Sequence, residues 1–302
     1  MRNLFTLVTL ILVSVIGNGQ VNTDSLQQAE RYDSSASLRP PGSEGAFAPA
    51  KGTVGKIYRL RPASDIPLTL VGSGWSLYAF GKIYSKDKSN EEDILALDVS
   101  NIPTFDRHGA KVYHPEADNV GNLLFYGAMP LPLVLMFDKK IRNDGFKIAW
   151  LYLQAMSVTG LLYTGSVYLA DRYRPYAYNP NVPMSRRTRG GAKNSFFAGH
   201  VALVGTSTFF IAKVLNDYHP ESKVKWLPFT VAGVLTAATG AMRYAGGQHF
   251  LSDILLGTVV GTLSGILVPQ AHKNKEAERR FSFTSSYNGQ TPQFGFTYRL
   301  LK

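Results

Sequence analysis

A chain of 302 residues with no cysteine, 45% apolar residues and a formal charge of +11 excludes a good deal before any motif is read. No thiol nucleophile, thiolate metal site, disulfide or lipid-modified cysteine is open to it, so its stability has to come from packing. The positive charge asks for polyanionic partners, and an exported helical chain meets anionic lipid head groups and phosphorylated substrates rather than nucleic acid.

Residues 1–19, MRNLFTLVTLILVSVIGNG, have the layout of a secretory signal peptide, with a basic start at Arg2, an apolar core and a small-residue exit. An uncleaved anchor is the alternative, although the core is short for a span of about 20 residues. Residues 20–62 are polar and broken by Ser, Pro and Gly, which predicts a flexible linker ahead of a domain at 63–271. Six apolar runs follow, at 66–81, 122–137, 146–169, 200–215, 224–242 and 250–268. Each is long enough for a helix and several approach membrane-spanning length. The expected fold is therefore all-α, a six-helix bundle embedded in a membrane. Between the first two runs, Asp98, Ser100 and Asp106 are placed to cap short surface helices. Residues 272–302 change character: a charged connector leads into FSFTSSYNGQTPQFGFTYRLL, where aromatic and polar residues alternate around an Asn-Gly pair, which predicts a β-hairpin tail.

Basic residues mark alternate helix ends, at Lys139, Lys140, Arg142 and Lys147, at Lys223 and Lys225, and at Lys273, Lys275, Arg279 and Arg280. That is the bias of cytoplasmic loops. The other ends then face the periplasmic side of a bacterial cell envelope; a soluble periplasmic bundle with no spans is the alternative. A cleaved signal followed by six crossings would put those ends inside instead. One run must therefore not span, and 66–81, short and rich in Gly, Ser and Trp, is expected to lie along the membrane or pack on the bundle.

The outward ends carry the residues suited to chemistry. In RYAGGQHFLSD, residues 243–253, His249 and Asp253 are four apart, so a helix would place them on one face with the carboxylate holding one ring nitrogen. A histidine fixed in one tautomer can act as base, nucleophile or metal ligand. Gly246 and Gly247 permit a sharp turn, and the following helix start offers free N–H groups and a positive dipole end to an anion. Arg243 can grip phosphate oxygens with its planar fork. SFFAGHVALVG repeats the device with Gly199 and His200, and ADRYRPYAY ends a helix with Arg172 and Arg174 before Pro175. Three arginines and two histidines would meet on one face, with Arg186, Arg187, Arg189 and Lys193 funnelling an anionic ester inward. His108, His114, His219 and His272 read as surface residues.

The ordered set RP, then GH, then R-x5-H-x3-D at the ends of successive helices resembles the type 2 phosphatidic acid phosphatase (PAP2) family, related to vanadium haloperoxidases and bacterial acid phosphatases. The resemblance covers residues 66–270 and implies a PAP2-like bundle acting on a phosphorylated lipid at a membrane without metal or other cofactor. It implies that His249 is the nucleophile forming a phosphohistidine, that Asp253 orients it, and that His200 protonates the leaving oxygen. Arg174, Arg243 and the Gly199 N–H would bind phosphate, with Arg172 and Lys193 as further candidates. The chain departs from the family pattern at Val167, where a lysine is usual, at Phe197-Ala198 in place of Pro-Ser, and at Met242 in place of serine. Removing one charge-stabilising donor costs about 2.7–4 kcal/mol. An anionic-lipid-binding protein with weakened catalysis is accordingly the alternative. A vanadate haloperoxidase, and a metal site formed by His200, His249 and Asp253, are further readings of the same residues.

Overall fold

The computed structural model describes residues 57–274 together with 281–287 and 292–298. The expected signal peptide, the linker as far as residue 56 and the connector at 275–280 lie outside the described residues. The chain divides into a helical unit, Tyr58–Lys273, and a second unit drawn from the flanking segments. In the second unit β1 (Phe281–Tyr287) and β2 (Pro292–Tyr298) pair antiparallel, with Phe281 opposite Tyr298 and Tyr287 opposite Pro292.

The helical unit holds α1 (Pro62–Tyr84), α2 (Glu91–Leu95), α3 (Pro115–Ala128), α4 (Lys139–Arg142), α5 (Gly145–Leu169), α6 (Pro175–Tyr178), α7 (Met184–Arg187), α8 (Gly199–Tyr218), α9 (Trp226–Ala245) and α10 (Leu251–Ala271). α1 and α3 each begin with proline in the first turn, where its missing N–H costs nothing. The run expected at 66–81 is part of α1, which lies parallel to α5: the Ser73 and Ser157 hydroxyls meet at 2.7 Å, and the Gly160 Cα faces Ser76.

The closest helix pair decides where the site lies. Gly257, Gly261 and Gly265 form a stripe along α10, and a Cβ on any of them would stand 2.6, 2.3 and 2.7 Å from the carbonyl oxygens of Ala198, Ala202 and Thr206. Only glycine lets the two backbones approach so closely. The matched order of the contacts makes α8 and α10 parallel, so both N-termini lie at the same end. α9 runs between them in sequence and antiparallel in space, so its C-terminus returns Arg243 to that end. α5 completes the core through hydroxyl contacts, Thr159 to Thr206 at 2.7 Å and Tyr152 to Ser207 at 3.2 Å.

The outer surface is apolar: Leu77, Leu123, Phe137, Val234 and Leu255 are all exposed. Two segments, Pro115–Phe137 and Leu251–Ala271, are long and apolar enough to cross a membrane. At the end of the bundle away from the α8 and α10 N-termini, Tyr58 pairs with Lys273 and the Tyr58 hydroxyl donates to Asp217 at 2.7 Å. His272, expected at the surface, is buried there, with Nε2 2.9 Å from Asp65. The cap expected of Asp106 is also displaced. Asp98 caps its own turn by accepting from Ser100 N at 2.8 Å, but Asp106 is fully buried and reaches instead to the start of α10.

Candidate active site

α8 and α10 start side by side, and the first turn of each has N–H groups with no acceptor inside its own helix. Two positive dipole ends therefore point at one region. Gly199 opens α8 because a Cβ there would stand 2.5 Å from the Tyr163 ring. Gly247, at φ 66°, makes the left-handed turn that carries the chain from α9 to His249.

His249 is buried, 1% exposed, and its Nδ1 lies 2.7 Å from the Ser195 carbonyl oxygen. A carbonyl only accepts, so Nδ1 carries the hydrogen and Nε2 keeps its lone pair in the neutral ring. Burial, then the Arg174 and Arg243 charges, hold the imidazole well below the usual histidine pKa, against a smaller opposing effect of the Ser195 hydrogen bond. The neutral ring therefore keeps an Nε2 lone pair that is not committed to Ser195.

Asp253 does not touch that ring in the way the spacing predicts. α10 begins at Leu251, so His249 precedes the helix and the i, i+4 geometry does not apply. Asp253 instead accepts from Phe250 N at 3.0 Å, closing the first turn, from the Ser195 hydroxyl at 2.7 Å, and from Arg172. Its hold on His249 is indirect, through Ser195. Arg172 is likewise no free phosphate ligand: it bridges Asp253 and Asp106 (2.8 Å), donates to the Ser252 hydroxyl at 2.9 Å, and lies 4.6 Å over the Phe250 ring. Asp106 accepts from Ser252 N at 3.0 Å and Ser252 Oγ at 2.6 Å. Asp106, Arg172, Asp253 and Ser195 thus form one buried relay that ends on the carbonyl holding His249.

Arg174 and Arg243 behave differently. Arg174 donates only to neutral oxygens, those of Gly191 (3.0 Å) and of Gln248, whose Oε1 is 2.6 Å away. It pairs with no carboxylate among the described residues. Arg243 is 4% exposed, ion-paired to Asp118 through Nη1, and its buried Nε–H has no hydrogen-bond partner among the described residues. A buried unpaired donor is costly, which suits a position held for an incoming acceptor. His200 is half-buried at the start of α8, and its Nε2 donates to Asn122 Oδ1 at 3.0 Å. Arg243 Nη1 donates to the same oxygen at 3.1 Å. Lys193 sits half-buried in the turn Gly190–Lys193 that wraps Arg174, and it forms no ion pair among the described residues.

The sequence motifs contain His200, His249, Arg174 and Arg243, which the structure brings to one end of the bundle, but not the partners of these side chains. Asp118 and Asn122, four apart at the start of a long apolar segment, gave a usable signal: two polar side chains on one face of such a helix need something to bind. Asp106 and Ser195 gave none, since only the tertiary fold brings them in. At Val167, where the family pattern has lysine, the backbone carbonyl accepts from Lys86 Nζ at 2.8 Å, and the same amine pairs with Asp171 at 2.7 Å. His200, His249 and Asp253 form no metal-ligand group among the described residues, because Asp253 is turned toward Arg172 and Ser195.

Residues 148–277 match the model of the PAP2 superfamily, a segment that contains Arg174, Gly199, His200, Arg243, His249 and Asp253. The resemblance read from the three motifs is thereby found independently. A lipid A 1-phosphatase of Porphyromonas gingivalis is 29% identical over 179 residues, which are 58% of this chain and 35% of that protein. The chain thus spans about a third of the length of that curated relative. The crystal structure of a transmembrane PAP2-type phosphatidylglycerolphosphate phosphatase from Bacillus subtilis is 20% identical with a TM-score of 0.41, over 68% of this chain and 93% of that one.

Proposed function

We propose that this PAP2-like chain is a metal-independent phosphatase that hydrolyses a phosphomonoester or diphosphate of a lipid through a phosphohistidine at His249. One observation carries the reading. Two buried or half-buried guanidiniums flank a neutral histidine, and among the described residues one has no carboxylate partner and one has an unpartnered N–H. A phosphate ester supplies both the missing charge and the missing acceptor oxygens.

In the proposed reaction the bound phosphate dianion offsets the Arg243 and Arg174 charges and lets His200 take up a proton; Nε2 of His249 then attacks phosphorus as the bond from phosphorus to the leaving oxygen breaks, and that oxygen takes the proton from the His200 imidazolium. Water then attacks the phosphohistidine, giving up a proton to His200, and inorganic phosphate leaves. Splitting the displacement in two makes each step easier. Arg174, Arg243 and the free N–H groups at the start of α8 stabilise charge on the transferring phosphoryl oxygens. The apolar outer surface and the segments Pro115–Phe137 and Leu251–Ala271 support placing the bundle in a membrane. The lysine and arginine bias of the opposite loops supports a periplasm-facing site in a cell envelope.

The test is phosphate release over a panel of lipid and soluble monoesters by the parent and His249→Ala, with acid quenching to trap labelled protein. Acid-labile phosphate on the parent and loss of at least about 10⁴-fold in kcat in the variant are expected. Turnover that survives His249→Ala, with no trapped phosphate, refutes the mechanism. Lipid binding without any turnover by the parent would instead favour the anionic-lipid-binding alternative, to which the departures at Val167 and Ala198 lend support.

A further inference from the structure

Helix α3 lays one face on the site. Asp118, Asn122 and Phe125 follow at spacings of four and three, so they share that face. Asp118 pairs with Arg243 Nη1, accepts from Gln248 Nε2 at 3.1 Å and lies 3.6 Å from Arg186 Nη2. Asn122 Oδ1 accepts from both His200 and Arg243, and the Phe125 ring centre is 4.4 Å from that of His200. The other face of α3 exposes Leu123 (72%) and Tyr126 (70%).

We propose that Asp118 is an internal anion: with Asn122 it occupies, in the free protein, the seat on Arg243 and His200 that phosphoryl oxygens take during turnover, and substrate binding exchanges it out. The proposal rests on the phosphatase reading above. Three observations distinguish a displaceable occupant from a permanent support. The carboxylate meets Arg243 at Nη1 and leaves the buried Nε–H unpartnered among the described residues, so the guanidinium is held but not saturated. Asn122 Oδ1 is an acceptor touched at once by the proposed acid and a proposed phosphate ligand, which is the position of an oxygen shared between leaving group and phosphate. A carboxylate on Arg243 also repels a phosphate dianion bound to the same guanidinium, so each weakens the hold of the other. His249 is 1% exposed, so groups around it must shift before a lipid phosphate meets it, and the α3 side chains Asp118 and Asn122 are those bonded to the neighbouring Arg243, Gln248 and His200.

The experiment uses full-length, detergent-solubilised protein and two probes, orthovanadate and inorganic phosphate, with dissociation constants measured for the parent, Asp118→Asn, Asp118→Ala and Glu116→Gln. Glu116 is exposed on the same helix and controls for loss of one negative charge. Removing an occupant removes its share of the binding penalty, so both Asp118 variants should bind the probes about tenfold tighter or more. Glu116→Gln should stay within about twofold, as a screened surface charge does. Unchanged or weaker binding by folded Asp118 variants overturns the proposal and makes Asp118 a support for Arg243. Hydrogen exchange on the parent needs no variant: the amides of residues 115–128 should exchange faster when vanadate saturates the protein, and added protection there also overturns the proposal. If the parent binds phosphate but turns nothing over, the phosphatase reading alone fails. If no variant binds either probe, the seat does not exist and both fail.

Discussion

The two ends of the bundle contain buried ionisable groups brought together from distant parts of the chain, and they are balanced in opposite ways. α8 runs between them, from Gly199 to Tyr218, a length of about 30 Å. At its C-terminal end Asp217 accepts from Lys213 at 2.5 Å and from the Tyr58 hydroxyl at 2.7 Å, and pairs with Lys273 at 3.3 Å. Asp65 there takes His272 at 2.9 Å and the Arg61 N–H at 2.5 Å. These carboxylates are met by cations and donors and clasp the two ends of the helical unit together. At the N-terminal end three carboxylates, Asp106, Asp118 and Asp253, face four guanidiniums, those of Arg172, Arg174, Arg186 and Arg243, and two helix dipoles add to the positive side. At one end the buried carboxylates are matched by cations and donors; at the other these guanidiniums outnumber the carboxylates they face by one.

The largest effect that tests this contrast is at Arg174, the guanidinium that among the described residues bonds only to neutral oxygens. Arg174→Gln should lower kcat/KM for phosphate release about 100- to 1,000-fold, the cost of one charge-stabilising donor. Its thermal unfolding should change little, because no ion pair is broken. A variant that unfolds easily yet keeps its specific activity would assign Arg174 to structure and erase the difference between the ends.

A matched pair of carboxamide substitutions sharpens the comparison at smaller cost. Asp217→Asn leaves two lysines short of their partner and should destabilise the fold by about 3–5 kcal/mol, as breaking a buried pair does, with kcat per folded molecule unchanged. Asp106→Asn loosens the relay through Arg172, Asp253 and Ser195 and should lower kcat about 10- to 100-fold, the range for groups that act through a positioned ligand, with KM nearly unchanged. Denaturant melts and initial rates on the same samples separate the two. Exchanged phenotypes would mean that the relay is only a clasp.

How far this contrast was legible in the sequence depends on distance along the chain. The apolar runs are long, and glycine or proline sits beside His200, His249, Arg174 and Arg243, so the helix positions and the placing of these four at helix ends follow from local rules. The His249–Asp253 spacing misled because the rule for i, i+4 contacts holds only inside a helix, and the break at Gly246 and Gly247 delays α10 to Leu251. Asp106 and His272 misled for the opposite reason. Each looks like a solvated loop residue beside its own neighbours, and each is buried by a partner far along the chain, Ser252 for one and Asp65 for the other. Local pattern registers that a charge exists; only the tertiary fold decides which charge is left without a partner.

The subtlest difference between the ends should appear in the protonation of His249. Burial disfavours imidazolium, and the charges of Arg174 and Arg243 disfavour it further, so the folded-state pKa lies below the ordinary value of about 6.5. Protonation removes the Nε2 lone pair, so nucleophilic activity is lost only as pH falls through that depressed value. The acid limb of kcat/KM that belongs to the enzyme should therefore lie below pH of about 6.5. A substrate phosphate titrates near pH of about 6 and overlays its own limb, so the ring itself is best followed by isotope-labelled histidine resonances in the free protein. Arg174→Gln removes one of the two opposing cations and should move the His249 titration to higher pH. Asp217→Asn, about 30 Å away and inside a cluster that offsets its own charges, should leave it in place. Equal movement in both variants would show that His249 senses the net charge of the protein and not the Arg174 guanidinium beside it.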